Sequence, residues 1–325
     1  MNVVELLGLP VIDASLLRLE PLLRDCVVTG DEFLDGVTTH LIAAGGKRLR
    51  PALTLAAATA GAQEATRADL LGGVSVELVH LASLYHDDVM DEATVRRNVS
   101  SVNARFGNLV AIVAGDFLLA RSAEIAAGLG TEIAGLLAAT LGELCQGQVA
   151  EVRAAFQVNR TLEEYTAAIS GKTASLMATS CRIGALTGHR PRAEVEALTA
   201  YGRSFGMIFQ VRDDILDVVG TEDDLGKPAG QDLAEGIYTL PVLLALGDAD
   251  AGRELRVLLG RPLEQPERDK ARSIIAASPA IPNAVAVARR YVQEAERAAA
   301  GSASPELARS LAELANSLLD GLPGA

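Results

Sequence analysis

Residues 69–92 read DLLGGVSVELVHLASLYHDDVMDE, an apolar stretch of helical length that ends in the acidic pentad Asp87-Asp88-Val89-Met90-Asp91. A second apolar stretch, 193–219, carries Asp213-Asp214-Ile215-Leu216-Asp217 near its own end. Apolar residues recur at spacings of three and four in both, the period of a helix with a buried face. In a helix, residues four apart share a face, so Asp87 with Asp91, and Asp213 with Asp217, each present paired carboxylates about 6 Å apart along the axis. Like charges at this spacing destabilise a helix, and helix C-termini disfavour negative charge, so the arrangement asks for a cation from elsewhere. A single cluster could be a solvated acidic helix end; two without interleaved Lys or Arg suit Mg²⁺, which accepts one or two carboxylates and takes its other oxygens from water and phosphate.

The same helical period runs through nearly all of the chain, with Ala and Leu dominant and no alternating Val/Ile/Thr runs between turn residues. The expected fold is all-α. Helices are expected from Asp13 as N-cap to Arg24, onward to Ala43, from Pro51 to near Gly61, over 69–92, and then over 109–128, 131–155, 162–187, 193–219, 239–248, 268–277, 282–300 and 305–320. At 325 residues and 49% hydrophobic content, with no Pro/Ser-rich or charged linker, one domain spanning 1–325 is expected.

A formal charge of −13 argues against a general nucleic-acid binder. Any anionic ligand must be held by local cations or by metal. Cys26, Cys145 and Cys181 are odd in number and widely spaced, which predicts small core residues of a reduced, cytoplasmic protein and no zinc site. No basic residue precedes Arg18, and no uncharged apolar run approaches about 18 residues, so neither a targeting signal nor an integral membrane segment is expected.

Local cations are present. Gly45-Gly46-Lys47-Arg48-Leu49-Arg50-Pro51 places three of them in four residues at the mouth of a helix. Taken alone this is equally a solvated basic turn, but Arg forks and helix N-termini bind phosphate oxygens well. Arg96 and Arg97 follow the first pentad, and Lys172 and Lys227 stand near the middle helices. The Gly-rich polar segment 220–233 after the second pentad reads as a lid, with an ordinary surface connection as the alternative.

With GGKRLRP at 45–51, HDDVMDEATVRR at 86–97, GKTASL at 171–176, FQVRDDILD at 209–217 and GKPAGQDLAEG at 226–236, the chain resembles the trans-isoprenyl diphosphate synthases of the polyprenyl synthetase family. The resemblance covers most of the chain. It implies an antiparallel all-α bundle around a deep central cavity, usually homodimeric, with a hetero-oligomer as the other option. It further implies that Asp87, Asp88, Asp91, Asp213, Asp214 and Asp217 hold about three Mg²⁺ on an allylic diphosphate, which Arg96, Lys172 and Lys227 also contact. Isopentenyl diphosphate would be held by Lys47, Arg50, His80 and Arg97, and Thr173 and Gln210 would line the reacting carbons. Two departures from the family pattern are Ile237 where Lys is common and Asn98 where Gly is common.

Ser83 lies one turn before Asp87 on the same face, bordered by Ala82, with His80 and Val76 continuing the stripe. The expected tail channel follows it. Small side chains at Ala82 and Ser83 leave that channel open, with closure lower down by a bulky residue from another helix as the alternative; the resemblance likewise favours a long-chain polyprenyl product for a quinone side chain over a farnesyl or geranylgeranyl one. Tyr85 falls on the other side and reads as core. A class I terpene cyclase shares one acidic motif but lacks the basic turn, and a non-catalytic synthase subunit would not need both acidic clusters.

Overall fold

The computed structural model describes residues 7–221, 229–302 and 304–324. Its helices, in chain order, are α1 (Pro10–Asp25), α2 (Glu32–Thr38), α3 (His40–Ala43), α4 (Leu49–Thr59), α5 (Arg67–Met90), α6 (Val102–Phe106), α7 (Asn108–Leu129), α8 (Thr131–Arg153), α9 (Leu162–Ile169), α10 (Ser175–Thr187) and α11 (Arg192–Val219). They continue with α12 (Gln231–Glu235), α13 (Leu240–Gly247), α14 (Ala251–Leu258), α15 (Gln265–Ala277), α16 (Ala280–Ala299) and α17 (Pro305–Ser317). Among the described residues the fold is all-α apart from one short hairpin, β1 (Val95–Arg96) paired antiparallel with β2 (Val99–Ser100). Among the described residues, no single helix is long and apolar enough to cross a membrane.

The chain gathers into two compact units, one made of Met1–Leu141, Leu176–Gly202 and Ala299–Leu311, the other of Gly142–Ser175, Arg203–Ala298 and Ala312–Ala325. In the first, α5 is the central helix. Thr66 and Asp69 form a capping box at its start, each side chain meeting the other's backbone N–H. Leu70, Val74, Val76, Leu78, Val79, Leu81, Ala82 and Tyr85 are all buried, so the helix is apolar on nearly every side and packs against α1, α4 and α7. Tyr85 lies in this core, its hydroxyl donating to the Val37 carbonyl at 2.8 Å. The second unit has its own core, in which α11 contributes Met207, Val211, Ile215 and Val218, α13 Val242 and Leu243, and α15 and α16 Ile275 and Ile281.

Several expected boundaries move for local reasons. The first helix begins at Pro10, with Leu9 as N-cap, and Asp13 sits in its first turn rather than capping it. Proline suits that position because its missing N–H has no helical partner there. The stretch 162–187 is interrupted by a π-helical segment, Ser170–Ala174. Cys181 is buried as expected, whereas Cys145 is exposed on α8 and Cys26 is half-buried.

Arg48 turns inward from the basic turn. Its left-handed backbone (φ 47°) precedes α4, and its guanidinium donates to Glu20 at 2.6 Å and to Glu77 at 2.9 Å. Arg48 is 5% exposed and Glu77 1%. Removing one partner from a buried ion pair leaves an uncompensated charge, so Glu77→Ala is expected to destabilise the protein by about 3 kcal/mol, read as a lowered urea midpoint with an unchanged slope. A midpoint within experimental error of the parent would show that Glu20 alone satisfies Arg48.

Candidate active site

Within the first unit, α5 delivers the first acidic pentad at its C-terminus. Asp91 is the C-cap residue, its N–H bonding the Asp87 carbonyl at 2.8 Å, and Glu92 takes a left-handed φ of 50° that ends the helix. Asp87 is half-buried and Asp91 exposed, while Asp88 has no exposed surface. Arg96 clamps Asp88 Oδ1 through Nε at 2.7 Å and Nη2 at 2.6 Å, and Oδ2 is buried with no hydrogen-bond partner. Burial raises the Asp88 pKa, and Arg96 opposes that shift.

The β1–β2 hairpin positions the two arginines that follow the pentad. Its loop residues, Arg97 and Asn98, have φ of 53° and 62°, the sign that two-residue hairpin loops of this hand require. Asn tolerates the left-handed region better than most residues, which accounts for Asn98 without glycine. Arg97 donates to the carbonyls of Leu41 and Gly45. Its guanidinium lies so close to Gly46 that a Cβ there would come within 2.9 Å, so the glycine lets the basic turn and hairpin meet. His80 sits within this group. Burial drives its pKa well below the ordinary histidine value, and the charges of Arg50, Arg97, Arg48 and Arg96 push the same way, leaving it neutral. Burial also lowers Arg50 to about 10, with Arg97 adding to the effect against Glu77. Lys47 is exposed on the turn. Ser83 is half-buried with its hydroxyl on the His80 carbonyl at 2.8 Å, and Ala82 is fully buried.

The second unit holds the other half of the expected residues. Lys172 and Thr173 lie on the π-helical segment, a device often found at functional sites. Helix α8 approaches that segment at Gly147, where a Cβ would stand 2.4 Å from the Lys172 nitrogen. Lys172 pairs with Glu151. Thr173 donates to Gln210 Oε1 at 2.8 Å, and Gln210 Nε2 donates to Asp214 Oδ1 at 2.8 Å. Tyr165 donates its hydroxyl to Asp214 Oδ2 at 2.5 Å. Burial pushes Asp214 up to about 7 despite these donors. Asp217 is buried and accepts from the backbone N–H of Gln231 and Asp232, both at 3.3 Å, while Asp213 is exposed. Lys227 and residues 222–228 of the segment 220–233 read as a lid lie outside the described residues, while its end, from Gln231, belongs to α12.

The donor set fits magnesium. It is made of carboxylate oxygens, and among the described residues no group of three acidic, histidine or cysteine side chains could hold a metal ion by itself. Mg²⁺ needs only one or two carboxylates when waters and substrate phosphates complete its shell. Three participants escaped sequence reasoning: Glu77, Glu151 and Tyr165. Glu77 left a trace as a lone charge inside an apolar helix, whereas Tyr165 left none.

The polyprenyl synthetase family model matches residues 31–276. The nonaprenyl diphosphate synthase of Mycobacterium tuberculosis is 39% identical over 285 residues, covering 87% of this chain and 85% of that protein. The heptaprenyl diphosphate synthase component 2 of Geobacillus stearothermophilus is 42% identical over 262 residues, 79% of this chain and 80% of that protein. Among solved structures, a polyprenyl synthase from Caulobacter crescentus complexed with calcium and isoprenyl diphosphate superposes with a TM-score of 0.90 at 31% identity, covering 98% of each chain. The chain belongs to the polyprenyl synthetase family of trans-prenyltransferases.

Proposed function

We propose that the chain condenses isopentenyl diphosphate head to tail (1′-4) with an allylic diphosphate, extending it to a long-chain all-trans polyprenyl diphosphate for a quinone side chain. The observation that carries this reading is the gathering of Arg50, Arg96 and Arg97 around neutral His80, with no carboxylate paired to Arg50 or Arg97 among the described residues. Like charges packed this way call for an anion. Isopentenyl diphosphate is that anion, held by Lys47, Arg50, His80 and Arg97.

Asp87, Asp88, Asp91, Asp213, Asp214 and Asp217 serve the allylic diphosphate, together with Arg96, Lys172 and Lys227. Magnesium, about three ions per site, would neutralise that diphosphate and ease its departure. The Caulobacter crescentus relative, with calcium and isoprenyl diphosphate, supports a divalent ion in this role. As the allylic carbon–oxygen bond breaks, the isopentenyl double bond attacks the freed carbon and a proton passes to the released diphosphate. Thr173 and Gln210 line the reacting carbons. Water must be kept out, since it would quench the cation.

The nonaprenyl and heptaprenyl names of the relatives support a long product, as does the small side chain of Ser83. The relative named as a component supports assembly with another chain, so a hetero-oligomer stands beside the homodimer in the proposal. One functional domain acting in the cytoplasm completes it. The test is to incubate the purified chain with magnesium, labelled isopentenyl diphosphate and farnesyl diphosphate, and to weigh the products. A ladder ending in a long polyprenyl diphosphate is expected. Consumption of the allylic substrate without incorporation of isopentenyl units would indicate a cyclase, and no consumption at all a non-catalytic subunit.

A further inference from the structure

Asp214 anchors a short chain of hydrogen bonds. Gln210 turns its amide nitrogen, not its oxygen, to Asp214 Oδ1 and donates at 2.8 Å. The amide oxygen then points at Thr173, whose hydroxyl donates to it at 2.8 Å. The Thr173 oxygen is left with its lone pairs outward. The buried Asp214 side chain thus aligns an amide and a hydroxyl so that each turns its negative end the same way. Tyr165 completes the arrangement by donating to the other carboxylate oxygen. Tyr165 is 3% exposed, and the Arg160 guanidinium stands 5.5 Å from its ring centroid. Arg160, itself 8% exposed, is anchored on the Tyr238 carbonyl at 3.2 Å.

We propose that Tyr165 is a positioning residue for carbon–carbon bond formation: by pinning Asp214, it locks Gln210 and Thr173 with their negative ends toward the developing allylic cation. The inference rests on the proposed function, which places Thr173 and Gln210 at the reacting carbons. A cation formed where water is excluded is stabilised only by dipoles that are already oriented, since reorganising them during the reaction costs free energy. Without the Tyr165 hydroxyl, Asp214 Oδ2 loses its donor and the carboxylate is free to rotate, taking the amide with it. Tyr165 is assigned to neither diphosphate, and Asp213, Asp217 and the first pentad keep their carboxylates, so ground-state binding is expected to change little.

The test uses the full chain and Tyr165→Phe. Two unreactive ligands are titrated with magnesium present: an allylic diphosphate analogue carrying an ammonium in place of the cationic carbon, and an uncharged analogue with sulfur in the bridging position. For Tyr165→Phe, kcat is expected to fall about tenfold or more with KM within about twofold, and the ammonium analogue to bind about tenfold more weakly while the neutral one is unaffected. Adding Gln210→Leu to Tyr165→Phe should cost no more than Gln210→Leu alone. Equal weakening of both analogues, or of neither, in an active protein overturns the inference and leaves the proposed function standing. A wild-type chain that incorporates no isopentenyl diphosphate overturns both.

Discussion

Replacing Asp213 by alanine is expected to lower the rate of condensation about a thousandfold while leaving the unfolding midpoint where it was. The two halves of that expectation come from different properties of the residue. Asp213 is exposed on α11, and solvent screens the pairings of an exposed charge, so its removal changes stability by no more than about 1 kcal/mol. Its neighbours behave differently: Asp214 is buried between Tyr165 and Gln210, and Asp217 caps the N-terminus of α12, so alanine at either would disturb packing as well as chemistry. The kinetic half follows from charge. A diphosphate leaves with its negative charge held by metal and cations, and losing one such stabilising group costs about 100-fold to 1,000-fold in turnover. Asp87→Ala should act alike, because Asp87 is also a half-exposed member of a pentad whose middle carboxylate is engaged by Arg96. Turnover is measured at saturating substrates across a magnesium titration, with urea unfolding run in parallel. A variant within tenfold of the parent at any magnesium concentration would remove Asp213 from the metal-holding set.

How far the sequence discloses this site depends on whether the information is local. The long helices 108–129, 131–153 and 192–219 are legible because their apolar period is sustained, and the pentads are legible because four-residue spacing fixes a shared face. The β1–β2 hairpin is hidden, since two-residue strands have no period to detect and the Arg97-Asn98 loop lacks the glycine that usually marks such turns. A π-helical segment adds one residue to a turn, which composition does not register, so Lys172 and Thr173 read as ordinary helix. The basic turn shows composition without direction. Arg48 and Arg50 are two residues apart, yet only the half-buried Glu20 and the buried Glu77 carboxylates decide that Arg48 faces the core. Tyr165 meets Asp214 across a separation of 49 residues, and nothing in either neighbourhood announces the other.

Ser83→Phe is expected to shorten the product by several five-carbon units without loss of condensation activity. Ser83 is half-buried on α5, its hydroxyl returned to the His80 carbonyl, one turn before Asp87. A turn rises about 5.4 Å, comparable to the length of one isoprene unit. A side chain here therefore meets the growing tail soon after the head-group site, and a phenyl ring would block passage that a hydroxymethyl group permits. Ala82 gives a poorer test although it borders the same stripe. It is fully buried in the packed first unit, so phenylalanine there would overpack the core at a cost of about 1–3 kcal/mol, and lost activity could not be separated from damage to the fold. Mass analysis of products made from farnesyl diphosphate and excess isopentenyl diphosphate distinguishes the outcomes. A shift from a long polyprenyl diphosphate to species of four or five units, with the first condensation step near its parent rate, places the tail along the Ser83 face. An unchanged product distribution would mean that the tail leaves the head-group site by another route and that chain length is set elsewhere.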